Sequence, residues 1–141
     1  MIRENARASG FDFDPAAPPR LPNTLKAHMI IRLALGAGRQ EETAIGLYRA
    51  FWDEARDLGD DETLIEIAAA SGVDAAAARK MLASKDEAKS VAAEAGAFRA
   101  SGVSGVPTFI VGDRIGFTGG MPPDAIIECV RRAQDALKEM N

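Results

Sequence analysis

The stretch Gly105-Val106-Pro107-Thr108-Phe109-Ile110-Val111-Gly112-Asp113-Arg114-Ile115-Gly116-Phe117 constrains the fold of this 141-residue chain more than any other. An apolar, β-prone run at residues 107–111 meets a Gly-Asp pair, and a second short run follows at residues 115–118. This pattern predicts an antiparallel hairpin, and a glycine first in a two-residue loop suits a type II′ turn. Pro107 opens the first strand, where a missing N–H is tolerated. Gly102 and Gly105 let the chain bend before it. From these residues alone the Val106–Pro107 bond is either a trans bond starting an edge strand or a cis bond.

After the hairpin, Gly119-Gly120-Met121-Pro122-Pro123-Asp124 breaks the chain. Residues 125–140 then read as an amphipathic helix, with Ile126, Cys129, Val130, Ala133, Leu137 and Met140 on one stripe. Upstream the pattern is almost wholly helical. Asn23 and Thr24 offer a cap for a helix to about Gly36. A second helix is predicted over residues 41–57, with Ile45, Leu47, Tyr48, Phe51, Trp52 and Ala55 as its apolar face. Asp60-Asp61 opens a third that turns Leu64, Ile65, Ile67 and Ala68 inward and stops at Ser71-Gly72. Asp74 caps a fourth ending near Ala83. Ser84-Lys85-Asp86-Glu87 matches a capping box for a fifth, with Ala88, Val91, Ala92, Ala95 and Phe98 inward. At the N-terminus, residues 2–8 read as closing turns of a helix, residues 11–14 as a short extended piece and residues 15–22 as a proline-rich connector.

Composition narrows the function classes. Lys+Arg 17 against Asp+Glu 21 gives a net charge of −4, with no basic block. Nucleic-acid binding therefore has no electrostatic footprint. No apolar run approaches membrane-spanning length and residues 1–5 carry no apolar signal core, so a cytoplasmic chain without a membrane partner is expected. One cysteine cannot make an internal disulfide, a C-x-x-C pair or a multi-cysteine zinc site, so no metal site is expected. Cys129 lies on the apolar stripe of the last helix. It reads as a small buried hydrophobe or, alternatively, as a reactive thiol.

The Gly105-Val106-Pro107-Thr108-Phe109 motif, with the hairpin and closing helix at this spacing, resembles the DsbA-like thioredoxin superfamily. The stretches Pro22-Asn23-Thr24-Leu25-Lys26-Ala27-His28, Leu47-Tyr48-Arg49-Ala50-Phe51 and Leu58-Gly59-Asp60 resemble the helical insertion of its FrnE-like branch. They are similar, more distantly, to 2-hydroxychromene-2-carboxylate isomerases and kappa-class glutathione transferases. The resemblance runs from about Gly10 to Met140. It implies an α/β, mostly helical fold: a helical insertion subdomain followed by the C-terminal β-hairpin–helix half of a thioredoxin-like domain. The expected organisation is an N-terminal lead at residues 1–22, the helical subdomain at 23–102 and the thioredoxin-like half at 103–141.

In this family Pro107 would be cis, turning the main chain of Val106 toward a peptide or glutathione, with Thr108 beside it. Gly119 and Gly120 form either a plain turn or, at the start of the last helix, a place for a carboxylate. Asn23 is most simply a helix cap, although the resemblance puts it near the substrate groove. His28 and Arg32 share the one polar side of their helix. They are either a cleft-lining pair, with His28 for proton transfer, or a solvated edge. The candidate substrate-binding residues are thus Val106, Pro107, Thr108, Gly119, Gly120, Asn23 and His28; no catalytic residue is identified.

The family's catalytic cysteine pair, or the serine of its isomerase-type relatives, has no counterpart here. About twenty residues precede Pro22, and the strand–helix–strand that would present such a group is expected to be missing. Three function classes follow: a DsbA/FrnE-like thiol–disulfide oxidoreductase or isomerase family member inactive in redox chemistry as this chain, a glutathione-dependent isomerase or transferase, or a non-catalytic binding or scaffold module. No cofactor is required, with glutathione as a candidate ligand. The partners expected are a peptide or glutathione-like thiol and, through the open strand edge, further copies in a homo-oligomer.

Overall fold

In the computed structural model, residues 4, 7, 10, 21–103 and 105–140 are described. The predicted extended piece at 11–14 and most of the proline-rich connector lie outside them. Of the predicted N-terminal helix, Glu4 and Arg7 are helical, and Gly10, at φ +84°, donates its N–H to the Arg7 carbonyl at 3.0 Å.

The elements in order are α1 (Leu25–Gly36), α2 (Gln40–Trp52), α3 (Asp61–Ala70), α4 (Ala75–Ala83), α5 (Lys85–Ala100), β1 (Thr108–Val111), β2 (Ile115–Thr118) and α6 (Pro123–Glu139). The chain is therefore mostly helical with a small two-stranded antiparallel sheet. It divides into two compact units, residues 1–93 and 94–141.

Short polar side chains start the helices of the first unit. Asn23 Oδ1 accepts the Leu25 N–H at 3.0 Å ahead of α1. Asp60 takes both the N–H and the hydroxyl of Thr63 at 2.9 Å ahead of α3, and Asp74 takes the Ala77 N–H at 2.7 Å ahead of α4. Each satisfies donors that a helix start otherwise leaves orphaned. Ser84 Oγ accepts the Glu87 N–H at 3.2 Å, which is half of the predicted capping box. The Glu87 carboxylate faces Arg32 at 3.5 Å. Left-handed glycines end α1 and α3: Gly38 at φ +68° and Gly72 at φ +86°. There the Arg39 N–H reaches back to Ala34 O, and the Val73 N–H to Ala68 O.

α1 packs against α2, α3 and α4, and α2 against α3. Ile30 and Leu64 are wholly enclosed, with Leu47, Phe51, Ile65, Ile67, Val73 and Leu82 in the same cluster. Burying side chains of this kind contributes about 1.5–3 kcal/mol each, so this cluster holds the first unit together.

Two expectations for α2 are corrected. It stops at Trp52 rather than near residue 57, because Ala55 adopts φ +53° and the Arg56 N–H closes onto Ala50 O at 2.8 Å. Its inward face is Thr43, Leu47, Ala50 and Phe51, while Ile45 and Tyr48 lie outside at 43% and 67% exposure. Ile45 and Tyr48 follow the i, i+3 spacing of a second stripe, and one helix cannot turn both stripes to the same neighbour, while Trp52 is half-buried against the core. Small residues decided the contest. A Cβ on Gly46 would come within 3.1 Å of Ile67 Cγ2, so α2 approaches α3 closely on this side. The face predicted for α5 also shrinks: Val91 is buried and Ala88 half-buried, whereas Ala92, Ala95 and Phe98 are exposed.

In the second unit, β1 and β2 pair Thr108 with Thr118, Phe109 with Phe117, Ile110 with Gly116 and Val111 with Ile115. The rings of Phe109 and Phe117 stack across the strands, centroids 4.9 Å apart. Their connection departs from the predicted turn. Three residues separate the paired Val111 and Ile115, and both Gly112 and Asp113 are left-handed, at φ +59° and +56°. Two left-handed central residues make the turn type I′, with Arg114 N–H closing on Val111 O at 3.3 Å. α6 packs on both strands, and Ala133 is its buried residue. Leu137 lies so close to the turn that a Cβ on Gly112 would stand 2.6 Å from its Cδ1.

Candidate functional site

The base of the hairpin gathers five of the seven predicted site residues. The Val106–Pro107 peptide bond is cis. The Gly119 N–H, at the exit of β2, donates to the Pro107 carbonyl at 3.0 Å, which fastens the two ends of the hairpin together. Thr108 Oγ1 donates to the Gly105 carbonyl at 2.6 Å and holds the loop before β1 in a tight bend. Val106 projects from this bend with 89% of its surface exposed.

The hydrogen-bond register extends from this bend along β1. Because Pro107 O bonds to Gly119, the antiparallel alternation points Phe109 and Val111 at β2 and leaves the N–H and C=O of Thr108 and Ile110 on the other edge. Among the described residues no strand occupies that edge. The Ile110 side chain is 58% exposed. β1 carries no charge and no bulge to blunt the edge. This arrangement offers an extended chain main-chain donors and acceptors beside apolar side chains. Ile110 was not singled out from the sequence, since an apolar residue in an apolar run carries no mark of which face stays open.

Gly119 and Gly120 belong to the exit of β2 and not to the first turn of α6, which starts at Pro123. That helix begins with two prolines, and the Ala125 and Ile126 N–H groups already bond to Pro122 O at 3.0 and 3.2 Å. Few donors remain there for an anion. Cys129, one turn further on, is half-buried, its Sγ 4.0 Å from Met121 Sδ.

The other two predicted residues, Asn23 and His28, belong to the first unit. Asn23 is spent on the Leu25 N–H. His28 is exposed on α1. Arg32, one turn on, donates to Ser90 Oγ at 2.8 Å and faces Glu87, so it ties α1 to α5 rather than standing ready beside His28. The sequence hint for this tie was the placement of Glu87 and Ser90 three residues apart on α5. Among the described residues no group of three or more His, Cys, Asp or Glu side chains could hold a metal ion.

A mostly helical chain that ends in a hairpin and a helix laid across it has the make-up of a thioredoxin-like fold with an inserted helical part. The family model for the DsbA-like thioredoxin domain matches residues 2–130, and the chain belongs to that family. Among solved structures it is similar to a probable DsbA oxidoreductase from Streptomyces coelicolor, with a TM-score of 0.80 and 27% identity over 95% of this chain. The match covers 58% of that protein, so the present chain spans somewhat over half its length. No curated protein matches the chain.

Proposed function

We propose that this chain is a FrnE-like member of the thiol–disulfide oxidoreductase family that binds an extended peptide or glutathione-like thiol at the base of its hairpin and carries out no redox turnover by itself. The observation that carries the reading is the exposed Val106, set at the head of a strand whose next edge holds no strand among the described residues. A peptide laid there gains main-chain hydrogen bonds as an added strand would, with apolar contact to Val106 and Ile110. The absence of turnover follows from sulfur chemistry. Thiol–disulfide exchange passes through a mixed disulfide that a second thiol normally resolves, and these 141 residues hold one cysteine. The peptide or thiol would be the chain's partner; nucleic acid and membrane are not, and the reading places it in the cytoplasm. Among the described residues no helix is long and apolar enough to cross a membrane.

Two measurements test this. Titrating labelled protein with S-methylglutathione, and separately with a cysteine-free extended peptide, should shift the amide signals of Val106, Thr108 and Ile110. Shifts centred on Asn23 and His28 instead, or none with either ligand, would overturn the site. In a disulfide-reduction assay the wild-type chain should turn over no faster than Cys129→Ala. Turnover lost in that variant would make Cys129 a nucleophile and sink the redox part of the reading.

A further inference from the structure

We propose that Thr108 is a positioning residue for the site at the base of the hairpin: its side-chain hydroxyl aims the Val106 N–H at the bound chain. This role presupposes the peptide site proposed around Val106 and names the group that sets its geometry. Three observations carry it. Thr108 Oγ1 donates to the Gly105 carbonyl at 2.6 Å. Gly105–Val106 is a trans peptide, since among the described residues the cis bond is the next one, Val106–Pro107. Among the described residues Val106 itself makes no hydrogen bond, and it is 89% exposed.

The consequence follows from the planarity of the peptide group. The Gly105 C=O and the Val106 N–H belong to one rigid trans unit and point in opposite directions. Turning the carbonyl back onto the Thr108 hydroxyl therefore turns the Val106 N–H away from it. Pro107 has no N–H of its own. The Val106 N–H is thus the donor that the bend holds out to an extended chain. The hydroxyl acts where the backbone is least constrained. Gly105 is exposed, with nothing within 4 Å of where a Cβ would stand, and glycine has more backbone freedom to lose than any other residue. Beyond the bend, Gly119 fixes the Pro107 carbonyl at 3.0 Å. Among the described residues no hydrogen bond other than that of Thr108 holds the main chain of Gly105 and Val106. Without it the peptide plane is free to rotate, and a ligand must order it on binding, at a cost in affinity.

Two variants of the intact, labelled chain separate the hydroxyl from the shape of the side chain. Thr108→Val keeps the branched, strand-favouring form and removes the donor; Thr108→Ser keeps the donor. In the free protein the order parameter of the Val106 amide should fall in Thr108→Val toward the flexible range, below about 0.6. It should stay at the wild-type value in Thr108→Ser, with Phe109 and Phe117 unchanged in both. A cysteine-free extended peptide should bind Thr108→Val about fivefold more weakly than the wild type, the equilibrium equivalent of one typical hydrogen bond. Thr108→Ser should bind it nearly as tightly as the wild type. An unchanged Val106 order parameter in Thr108→Val would overturn the positioning role, and so would a serine variant as weak as the valine one. Wild-type binding matched by Thr108→Val would remove this role alone, whereas a wild-type chain that binds no peptide would remove the site and the role with it.

Discussion

Thr43 shows how a single buried atom can work against a fold. It is 0% exposed on the inward face of α2, and among the described residues its Oγ1 has no hydrogen-bond partner. A hydroxyl taken out of water without a partner carries its desolvation cost uncompensated, about 1–3 kcal/mol. Valine has nearly the same shape and no hydroxyl. Thr43→Val should therefore stabilise the chain by about 1 kcal/mol, read as a higher urea midpoint with an unchanged slope. A lower midpoint would mean that the hydroxyl is satisfied in solution. Gly112 gives the opposite case. At φ +59°, and with Leu137 Cδ1 at 2.6 Å from an added Cβ, Gly112→Ala combines left-handed strain with a displaced leucine. The loss should be about 1–2 kcal/mol. It should appear at the hairpin, as faster amide exchange in β1 and β2. Asp113 tolerates the same conformation because its short polar side chain suits left-handed positions.

Element by element, charge also decides how the helical unit responds to acid. The Thr63 N–H and hydroxyl hold the Asp60 carboxyl below its ordinary pKa. The Arg79 guanidinium does the same for Glu62 on α3, which it bridges from α4. The Glu42 backbone N–H, with Arg39 second, lowers Glu42 on α2. A carboxyl whose pKa is lower folded than unfolded stabilises the fold above the unfolded value, and that contribution is lost as pH falls through the folded one. All three act in the same direction. The thermal midpoint of the helical signal should hold steady near neutrality and fall progressively below about pH 4. Asp60→Asn and Glu62→Gln should flatten that fall, and an equally steep fall in the double variant would count against these two groups as its source. The same elements show what the sequence could reveal. Asp60, Asp74 and Ser84 announced their helices because a capping side chain acts within three residues of its own position. The inward face of α2 depended on which of two apolar stripes met α3, and the end of α2 on a left-handed alanine that no local rule favours. The alanines of α5 fit the helix whether covered or not, so their exposure left no trace in the sequence. The site was legible in the same measure: the loop at residues 105–108 is a local motif, whereas Arg32 turned to Ser90, a partner 58 residues away.

For the whole molecule, the open question raised by the site is what sits beside β1. A two-stranded sheet is marginal alone, and here α6 covers it while one edge of β1 has no strand among the described residues. The exposed edge holds Ile110 and no charge, the features that natural edge strands usually avoid. We infer that in the absence of peptide this edge pairs with the same edge of a second copy, a closed two-fold contact in which each β1 serves the other. Peptide binding and self-association would then compete for one row of main-chain groups. Light scattering at micromolar concentration should give a homodimer or larger assembly. Ile110→Lys should shift it to monomer, because a lysine facing its own copy brings like charges together and is a common guard of natural edges. Saturating peptide should do the same to the wild type. A monodisperse wild-type monomer across that concentration range would falsify the self-pairing. An Ile110→Lys variant that remains assembled would move the contact to another surface and leave the peptide site to be judged by its own titration.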